Sequence, residues 1–288
     1  MVRYRWEDLP DEARTHIEAY FGPVRGAVSA GPGLTPGVAA HLSTERGGVF
    51  LKAIPSRSPA LRHYERELAV NNALPHDVPA PRLLRSGYAA EWLLLVFQHI
   101  PDAREADLSR GSPDVATVLD TVACLGETLA SCPWPDAPGI EEKIGAMRQR
   151  AESAITGGRG AEALHGLDLD DLSGSALLHA DLHRGNLLVA DGRMYVVDWS
   201  LACRGAAWVD LALLVPRLVA AGHTPQQAEA LVGRVPTWKT APSAAVTGLA
   251  AVRAGFCEYM ACHGPDHLRP RRERTAAACR AWLDHRMP

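Results

Sequence analysis

Lysine is scarce in this chain of 288 residues: three lysines stand against twenty-seven arginines. Surface cations are therefore almost all guanidinium groups, and a lysine inside an apolar segment needs a specific reason. Cysteine is also sparse, with six residues and no C-x-x-C pair of the kind that marks zinc or redox sites. We expect these cysteines to be reduced thiols, mostly in the helical core.

Long apolar runs and strong net charge are absent as well. No apolar stretch reaches the roughly 18 residues that a membrane-spanning helix requires. The first residues lack the apolar segment of a signal peptide, so we expect a cytoplasmic location. A net charge of −3 gives no indication of a nucleic-acid or membrane partner. The hydrophobic content of 47% suffices for a large core or for two lobes.

Apolar periodicity and turn residues predict a β-rich first third followed by a helical remainder. In the first third, we predict helices at 11–20 and 59–74, and strands at 24–30, 38–43, 49–54, 82–86 and 91–97. Later helices are predicted from 112, and at 141–155, 209–221, 225–233, 242–263 and 271–286. Between them, the glycine-rich segment 157–160 predicts a linker and the acidic segment 168–173 a loop.

The most informative segment covers residues 177–199 and reads LLHADLHRGNLLVADGRMYVVDW. Asp191-Gly192 between two apolar runs predicts a tight hairpin, because both turn residues accept positive φ. The hairpin would return Asp198, after its second strand, to Asn186, just before its first. A carboxylate and a carboxamide brought together in this way suit Mg²⁺. Asp181, on the preceding loop, is placed to accept a proton from a substrate hydroxyl.

Lys52 lies inside the apolar strand predicted at 49–54. A compact ammonium can act as a point charge between two phosphates, whereas a guanidinium fork is larger and planar. A buried lysine needs a partner carboxylate. The next predicted helix carries two candidates, Glu65 and Glu67, and helix phase alone does not decide between them.

A glycine-rich turn at 31–37 separates two predicted strands. Backbone N–H groups in such a turn can approach phosphates. Gly33, Thr35 and Gly37 are therefore candidate nucleotide contacts. A simple hairpin turn explains the same residues, and the two prolines of the turn remove N–H donors.

Taken together, these motifs resemble the aminoglycoside phosphotransferase and choline kinase family, which has a protein-kinase-like fold. The family's H-G-D-x-x-x-x-N motif corresponds to His179-Ala180-Asp181 through Asn186, and its later D-W pair corresponds to Asp198-Trp199. The sequence departs from the family at Ala180, where glycine is usual.

The resemblance implies an α+β, bilobal fold with a small β-rich lobe and a larger, mainly helical lobe. The nucleotide-binding lobe would cover 1–97, a hinge 98–101, and the helical lobe 102–288. It also implies transfer of the γ-phosphoryl group of ATP, with GTP as an alternative donor, to a small-molecule hydroxyl in the presence of Mg²⁺. No nucleic acid or membrane would take part.

The resemblance further assigns roles to individual residues. Arg184 would contact the phosphoryl group, although a surface arginine is an equal alternative. The other roles are Asp181 as catalytic base, Asn186 and Asp198 as metal ligands, Lys52 with Glu67 at the phosphates, His179 and Asp210 as structural support for the loop, and Gln98, His99 and Ile100 as the adenine-binding hinge.

In this family the final helices supply the acceptor pocket. The candidates here are Glu258, Tyr259, His263, Asp266 and His267. A polycationic aminoglycoside would favour a denser acidic wall. We therefore expect a less charged hydroxylated acceptor, such as an antibiotic or related natural product, handled by a resistance kinase. Heavy use of alanine, arginine and proline, typical of GC-rich bacteria that make antibiotics, agrees with this. A metabolic kinase for a sugar, choline or homoserine is the alternative.

Two interpretations from other classes compete with the kinase. His179, Asp181 and His183 could chelate zinc as in a metallohydrolase. That interpretation leaves Lys52 and the hairpin without a function. The chain could also be a scaffold that binds nucleotide without catalysis, although every motif position that the chemistry needs is filled.

Overall fold

The computed structural model describes residues 4–31, 36–155 and 157–287. Tertiary contacts divide the chain into two compact units. The first unit is Met1–Arg104 together with Leu188–Leu201, and the second is Glu105–Leu187 together with Ala202–Pro288. Strands dominate the first unit and helices the second, so the fold is α+β with the order of elements that the sequence predicts.

The first unit contains a five-stranded antiparallel sheet and two helices. The strands are β1 (Val24–Ser29), β2 (Val38–Thr44), β3 (Gly47–Pro55), β4 (Leu83–Ala89) and β5 (Trp92–Gln98), and the helices are α1 (Asp11–Phe21) and α2 (Leu61–Ala73). The strand order is β1-β2-β3-β5-β4. Each element predicted for the first third is present, with ends displaced by a few residues.

Side chains alternate across the central strands, so the two faces of the sheet pack separately. Leu51 and Leu94 belong to an apolar cluster with α1. Leu95 belongs to a second cluster with Tyr64 of α2. β5 is therefore buried on both faces, as its unbroken apolar run predicts. Lys52, next to Leu51 in β3, points to the α2 face.

The predicted hairpin is confirmed. Its strands are β8 (Leu187–Ala190) and β9 (Arg193–Val196), which form a three-stranded sheet with β6 (Arg104–Glu105) in the order β6-β8-β9. The turn residues Asp191 and Gly192 have φ values of 48° and 70°. Both values are positive, as a tight hairpin turn requires.

The second unit is mainly helical. Its helices are α3 (Asp114–Thr128), α4 (Ile140–Ala151), α5 (Gly158–His165), α6 (Trp208–Ala220), α7 (Pro225–Val232), α8 (Ser243–His263) and α9 (Arg269–Arg286), and its strands β7 (Ala176–Leu178) and β10 (Cys203–Gly205) pair antiparallel. α8 packs against α4, α5 and α9. Helices buried on several sides are apolar around most of their circumference, as α8 is. Within the described ranges, no helix combines the length and apolar character needed to cross a bilayer.

Two predictions about the second unit are wrong. The segment 157–160 is not a linker, because α5 begins at Gly158 and is anchored by the fully buried Leu164. The acidic segment 168–173 is a short 3-10 helix rather than an open loop, because the Asp168 carboxylate accepts a hydrogen bond from the Asp170 N–H at 3.0 Å. In both cases a local anchor overrides the composition of the segment.

The expectation for the cysteines is correct in part. All six are free thiols. Cys257 and Cys279 are buried in helices, but Cys203 lies in β10, and Cys124 and Cys262 are exposed on helix surfaces. Cysteine is small and occurs on both buried and exposed helix faces, so helical periodicity does not predict which face it occupies.

Candidate active site

Lys52 is the centre of a charged cluster in the first unit. Its Nζ is ion-paired with Glu67 Oε2 and lies 2.9 Å from Asp198 Oδ1. The side chains of Lys52 and Glu67 are 14% and 3% exposed, whereas Asp198 is 45% exposed, so the cluster meets solvent at Asp198. The other candidate partner, Glu65, instead accepts a hydrogen bond from Tyr88 Oη at 3.2 Å.

The charges of this cluster depend on one another. Burial by itself would lower the pKa of Lys52, but the carboxylates of Asp198 and Glu67 raise it above its ordinary value. Burial raises the pKa of Glu67 to about 7, and the Lys52 ammonium opposes that rise. Lys52 is therefore charged at neutral pH, whereas Glu67 gains or loses its proton close to that pH.

Of the three candidate nucleotide contacts in the glycine-rich turn, Gly37 is among the described residues. Gly33 and Thr35 lie outside the described residues. Gly37 is buried, and a Cβ there would collide with Tyr64 Oη and lie 2.6 Å from the Ala53 carbonyl oxygen. This packing by itself requires glycine at position 37.

The candidate hinge residues follow the end of β5. The Gln98 N–H donates to the Arg82 carbonyl at 2.8 Å, so that N–H is not available to an adenine edge. The His99 ring centroid lies 5.0 Å from that of His41, and Ile100 is buried. An adenine contact at this segment would therefore use backbone groups other than the Gln98 N–H.

The loop between β7 and β8 carries Asp181 and is held by buried polar groups. Asp210, near the start of α6, accepts hydrogen bonds from the N–H groups of His179 at 2.8 Å and Ala180 at 2.7 Å. His179 is buried, and its Nδ1 accepts a hydrogen bond from the Asp181 N–H at 3.3 Å. Asn186 Nδ2 donates to the Asp181 carbonyl at 3.1 Å. The backbone on both sides of Asp181 is thereby fixed.

Replacing Asp210 by alanine is expected to lower the free energy of unfolding by about 3 kcal/mol. The substitution leaves two buried N–H groups without an acceptor, and each unsatisfied group costs about 1–3 kcal/mol. Urea denaturation measures the loss. Asp284→Ala, at an exposed carboxylate of α9, is the control and should change stability by less than about 0.5 kcal/mol. Equal effects of the two substitutions would contradict the anchoring role.

Ala180 has a φ of 60° in the left-handed region. A side chain in that region costs about 1–2 kcal/mol, a cost that glycine avoids. The glycine usual at this position in the resembling family therefore has a backbone explanation.

We expect Ala180→Gly to raise the free energy of unfolding by up to about 1 kcal/mol. Relief of the left-handed conformation stabilises the fold, and the greater freedom of glycine in the unfolded chain offsets about 0.5–1 kcal/mol of that gain. Thermal and urea denaturation of the two proteins decide the sign. A clear loss of stability would show that burial of the Ala180 methyl group outweighs the strain.

Two basic side chains approach the Asp181 carboxylate. Arg217 Nη2 lies 3.5 Å from Oδ1, and His183 Nε2 lies 3.7 Å from Oδ2. Burial lowers the pKa of His183, so its ring is neutral at pH 7. Lys143 of α4 donates to the Ala180 carbonyl oxygen, and burial lowers the pKa of this lysine too. The loop thus faces a basic environment on its second-unit side.

Sequence reasoning missed Lys143, Arg217 and a further basic residue of the second unit, the buried Arg253 of α8. Lys143 could have been found, because it is one of three lysines and the scarcity that marks Lys52 marks it equally. Arg253 interrupts an apolar run in α8, which is a weaker signal. Arg217 carries no signal among twenty-seven arginines.

The structure pairs Arg184 with a carboxylate. Its Nε lies 2.6 Å from Glu105 Oε2, and the side chain is exposed. A contact with a phosphoryl group would require this ion pair to open or to be shared.

The candidate metal ligands have the chemistry that Mg²⁺ prefers. Asn186 uses its amide nitrogen to bind the Asp181 carbonyl, which leaves Oδ1 as its acceptor atom. Asp198 offers a partly exposed carboxylate. Mg²⁺ is commonly held by one or two such oxygen ligands together with substrate phosphates, so each of the two side chains has a suitable oxygen. Asp198 belongs to the first unit and Asn186 to the second.

The zinc alternative is wrong on geometry. Among the residues that the structure describes, no three His, Cys, Asp or Glu side chains are grouped to hold a metal ion. His179 and His183 each turn Nδ1 toward a backbone amide of the loop, at Asp181 and Gly185 respectively. The histidines therefore shape the loop instead of converging on one point with Asp181.

The candidate acceptor residues lie on α8 and the turn that follows it. The two acids are paired with arginines: Glu258 with Arg280 and Asp266 with Arg269. The Tyr259 and His263 rings stack with centroids 4.1 Å apart. His263 and His267 are exposed.

Comparison with known proteins identifies the family to which the chain belongs. A sequence profile described as the phosphotransferase enzyme family matches residues 38–241. This range covers most of the chain, and the protein belongs to that family, whose members are phosphotransferases of small molecules. Among curated proteins, a sequence search found no match.

Solved structures share the fold at low sequence identity. Choline kinase LicA from Streptococcus pneumoniae is 16% identical, with 93% of this chain and 98% of that chain covered and a TM-score of 0.65. Aminoglycoside phosphotransferase APH(4)-Ia, with ADP and hygromycin B, is 17% identical, with coverage of 93% and 98% and a TM-score of 0.58. Amicoumacin kinase hAmiN, with AMP-PNP, Ca²⁺ and its antibiotic, is 13% identical, with coverage of 97% and 95% and a TM-score of 0.57. The fold is thus that of the protein-kinase-like small-molecule kinases.

Proposed function

We propose that the protein transfers the γ-phosphoryl group of ATP to a hydroxyl of a small molecule, and that the acceptor is an antibiotic or a related natural product. The observation that carries the proposal is the position of Lys52, whose ammonium lies between the Glu67 and Asp198 carboxylates in a member of the phosphotransferase family. Such a lysine is a compact point charge next to the partly exposed Asp198, and a compact ammonium suits the binding of phosphates.

On the nucleotide side, Lys52 would bind the α- and β-phosphates, and Glu67 would hold its side chain in place. An incoming triphosphate supplies the negative charge that Asp198 now supplies to Nζ. Asp198 would then be released to act as a metal ligand. The segment Gln98 to Ile100 would bind the adenine edge through backbone groups, and GTP is the alternative donor.

Asn186 and Asp198 are the proposed ligands of Mg²⁺. The ion, when bound, neutralises charge on the β- and γ-phosphates of the donor. Asn186 is held for this task by its bond to the Asp181 carbonyl. Arg184 is a further candidate for contact with the transferred group.

On the acceptor side, Asp181 would orient the hydroxyl and take its proton. The hydroxyl oxygen forms the new bond to the γ-phosphorus, the bond from that phosphorus to the bridging oxygen breaks, and ADP leaves. The fixed backbone around Asp181 supports this role, because such a reaction depends mainly on positioning. His179 and Asp210 would act as positioning residues for the loop.

The acceptor class is tested with a panel assayed for ATP-dependent phosphate incorporation by mass spectrometry. The panel should contain macrolides, nucleosides, natural products that carry a carboxylate or phosphate group, aminoglycosides, choline, homoserine and sugars, each with wild type and Asp181→Asn. Phosphorylation of a natural-product antibiotic by the wild type alone is the expected result. Modification of aminoglycosides only would overturn the acceptor class, and exclusive turnover of choline, homoserine or a sugar would make the protein a metabolic kinase.

A further inference from the structure

Arg253 is a buried cation in α8. It lies in α8 with 9% of its surface exposed, and among the described residues its Nε has no hydrogen-bond partner. Burying a guanidinium group without full partners is costly, so such groups are rare unless they have a function. Burial by itself would lower the pKa of Arg253, but Cys257, Cys279 and Asp181 raise it, in part through a hydrogen bond with Cys279.

Arg217 is an arginine of α6 that contacts the proposed base. Its guanidinium contacts Asp181 at 3.5 Å, a long separation for an ion pair, and its side chain is 24% exposed. Burial lowers the pKa of Arg217, and the positive charge of Arg253 lowers it further. Arg217 is therefore accessible and only weakly satisfied.

Positive charge exceeds negative charge around the loop. The electrostatic neighbours of Asp181 and His183 include Arg217, Arg253, Lys143 and Arg271. Asp210 is the second carboxylate of this set, and it is already occupied by two backbone N–H groups. Asp181 alone does not balance the remaining cations.

The buried thiol pair does not remove this excess. Cys257 and Cys279 have their Sγ atoms 3.5 Å apart. The hydrogen bond from Cys279 and the charge of Arg253 lower the pKa of Cys257 to about 6, against the effect of burial. A thiolate at Cys257 would offset part of the charge of Arg253 and of Arg217. Among the described residues, the ion pair of Arg217 is still its 3.5 Å contact with Asp181.

The acids of the candidate acceptor pocket are already paired with arginines. Glu258 receives two hydrogen bonds from Arg280, and the exposed Asp266 is paired with Arg269. An acceptor with several ammonium groups would have to share these carboxylates with the arginines. The described residues thus favour negative over positive charge on the acceptor.

We propose that Arg217 forms an oxyanion subsite, supported by the positive charge of Arg253, and that the acceptor carries a carboxylate or phosphate group beside the hydroxyl that is phosphorylated. A guanidinium fork binds such groups through two parallel hydrogen bonds, which would fix the acceptor next to Asp181. The inference rests on the proposed function for the identity of the hydroxyl. The subsite itself requires only the two arginines.

Calorimetric titration with inorganic sulfate tests the subsite without any acceptor. The protein is titrated with and without saturating Mg²⁺–ADP, because sulfate at the nucleotide site competes with ADP and sulfate at Arg217 does not. We expect one ADP-insensitive site in the wild type that Arg217→Met weakens about tenfold or more, as loss of a charge-assisted hydrogen bond predicts. Arg253→Met should weaken sulfate binding in a similar way. If Arg253→Met does not fold, Arg217→Met alone carries the test. Arg234→Met, at an exposed arginine, is the control.

An adventitious anion site would bind sulfate equally in wild type and Arg217→Met. Equal binding, or the absence of any ADP-insensitive site, would overturn the proposal. This result is independent of catalysis, so it remains interpretable even if no acceptor is phosphorylated.

A second test uses the acceptor that the panel identifies. Its free acid is compared with its neutral carboxamide, or its phosphate ester with the parent alcohol. The acidic form should have a kcat/KM about tenfold or more above the neutral form, and Arg217→Met should abolish the preference mainly through KM. Efficient turnover of an acceptor without an acidic group, unchanged in Arg217→Met, would overturn the subsite while leaving the proposed kinase activity intact.

Discussion

Replacing Asp181 by asparagine is expected to slow phosphoryl transfer by about 10²–10⁴-fold, the usual contribution of a positioned general base. Asparagine keeps the size of the side chain and the backbone bonds to His179 and Asn186, but it cannot take a proton. Binding of ADP should not change, because Lys52 and Asp198 are untouched. The rate of ADP formation in the presence of the identified acceptor measures phosphoryl transfer. Calorimetric titration with ADP measures nucleotide binding.

Asp191→Asn is the matched control for this substitution. Asp191 is an exposed turn residue with positive φ, a conformation that asparagine also adopts. Its replacement should leave turnover within about twofold of wild type, as expected for a surface change. Full activity in Asp181→Asn would remove Asp181 from the mechanism. Loss of ADP binding in that variant would indicate a folding defect instead.

Lys52→Met is expected to abolish tight nucleotide binding and to lower kcat/KM by about 10²-fold or more, since each preorganised charged donor contributes on that scale. Lys52→Arg should rescue little, because the planar fork does not reproduce a point charge. Lys239→Met, at the exposed third lysine, should leave both quantities unchanged. Nucleotide affinity in Lys52→Met equal to that of wild type would contradict the phosphate-binding role.

We also expect the stability of Lys52→Met to depend on pH in a different way from that of wild type. Burial raises the pKa of Glu67 to about 7 even with Lys52 present, and without the ammonium it would rise further. A carboxyl with a raised folded-state pKa stabilises the fold at low pH and loses that contribution as pH rises through the folded pKa. Lys52→Met should therefore lose stability more steeply than wild type above about pH 7. Parallel stability curves would show that Glu67 is not coupled to Lys52.

The sequence predicts the fold and much of the site because several independent patterns agree. The Asp191-Gly192 turn defines the hairpin, and the unbroken apolar run of β5 predicts a strand buried on both faces, as the structure shows. The family match and the fold of the solved relatives confirm the class of enzyme that these motifs indicate.

The remaining features depend on tertiary contacts that no local pattern encodes. Glu65 and Glu67 are two residues apart on one helix, and only the packing of α2 on the sheet directs Glu67 to Lys52. The arginines near Asp181 come from α6 and α8, far from the loop in sequence. The glycines of the short helix α5 predict a flexible segment. Composition does not show the burial of Leu164, which anchors the helix.

The central claim is that the protein binds a magnesium nucleotide through Lys52 and Asp198. Thermal unfolding with and without Mg²⁺–ATP, in wild type and Asp198→Ala, tests it most directly. At about a hundred times the dissociation constant, bound nucleotide should stabilise the wild type by roughly 2.7 kcal/mol. The account predicts a magnesium-dependent rise in Tm that is absent in Asp198→Ala. No rise in the wild type with either ATP or GTP, or an equal rise in both proteins, would contradict it.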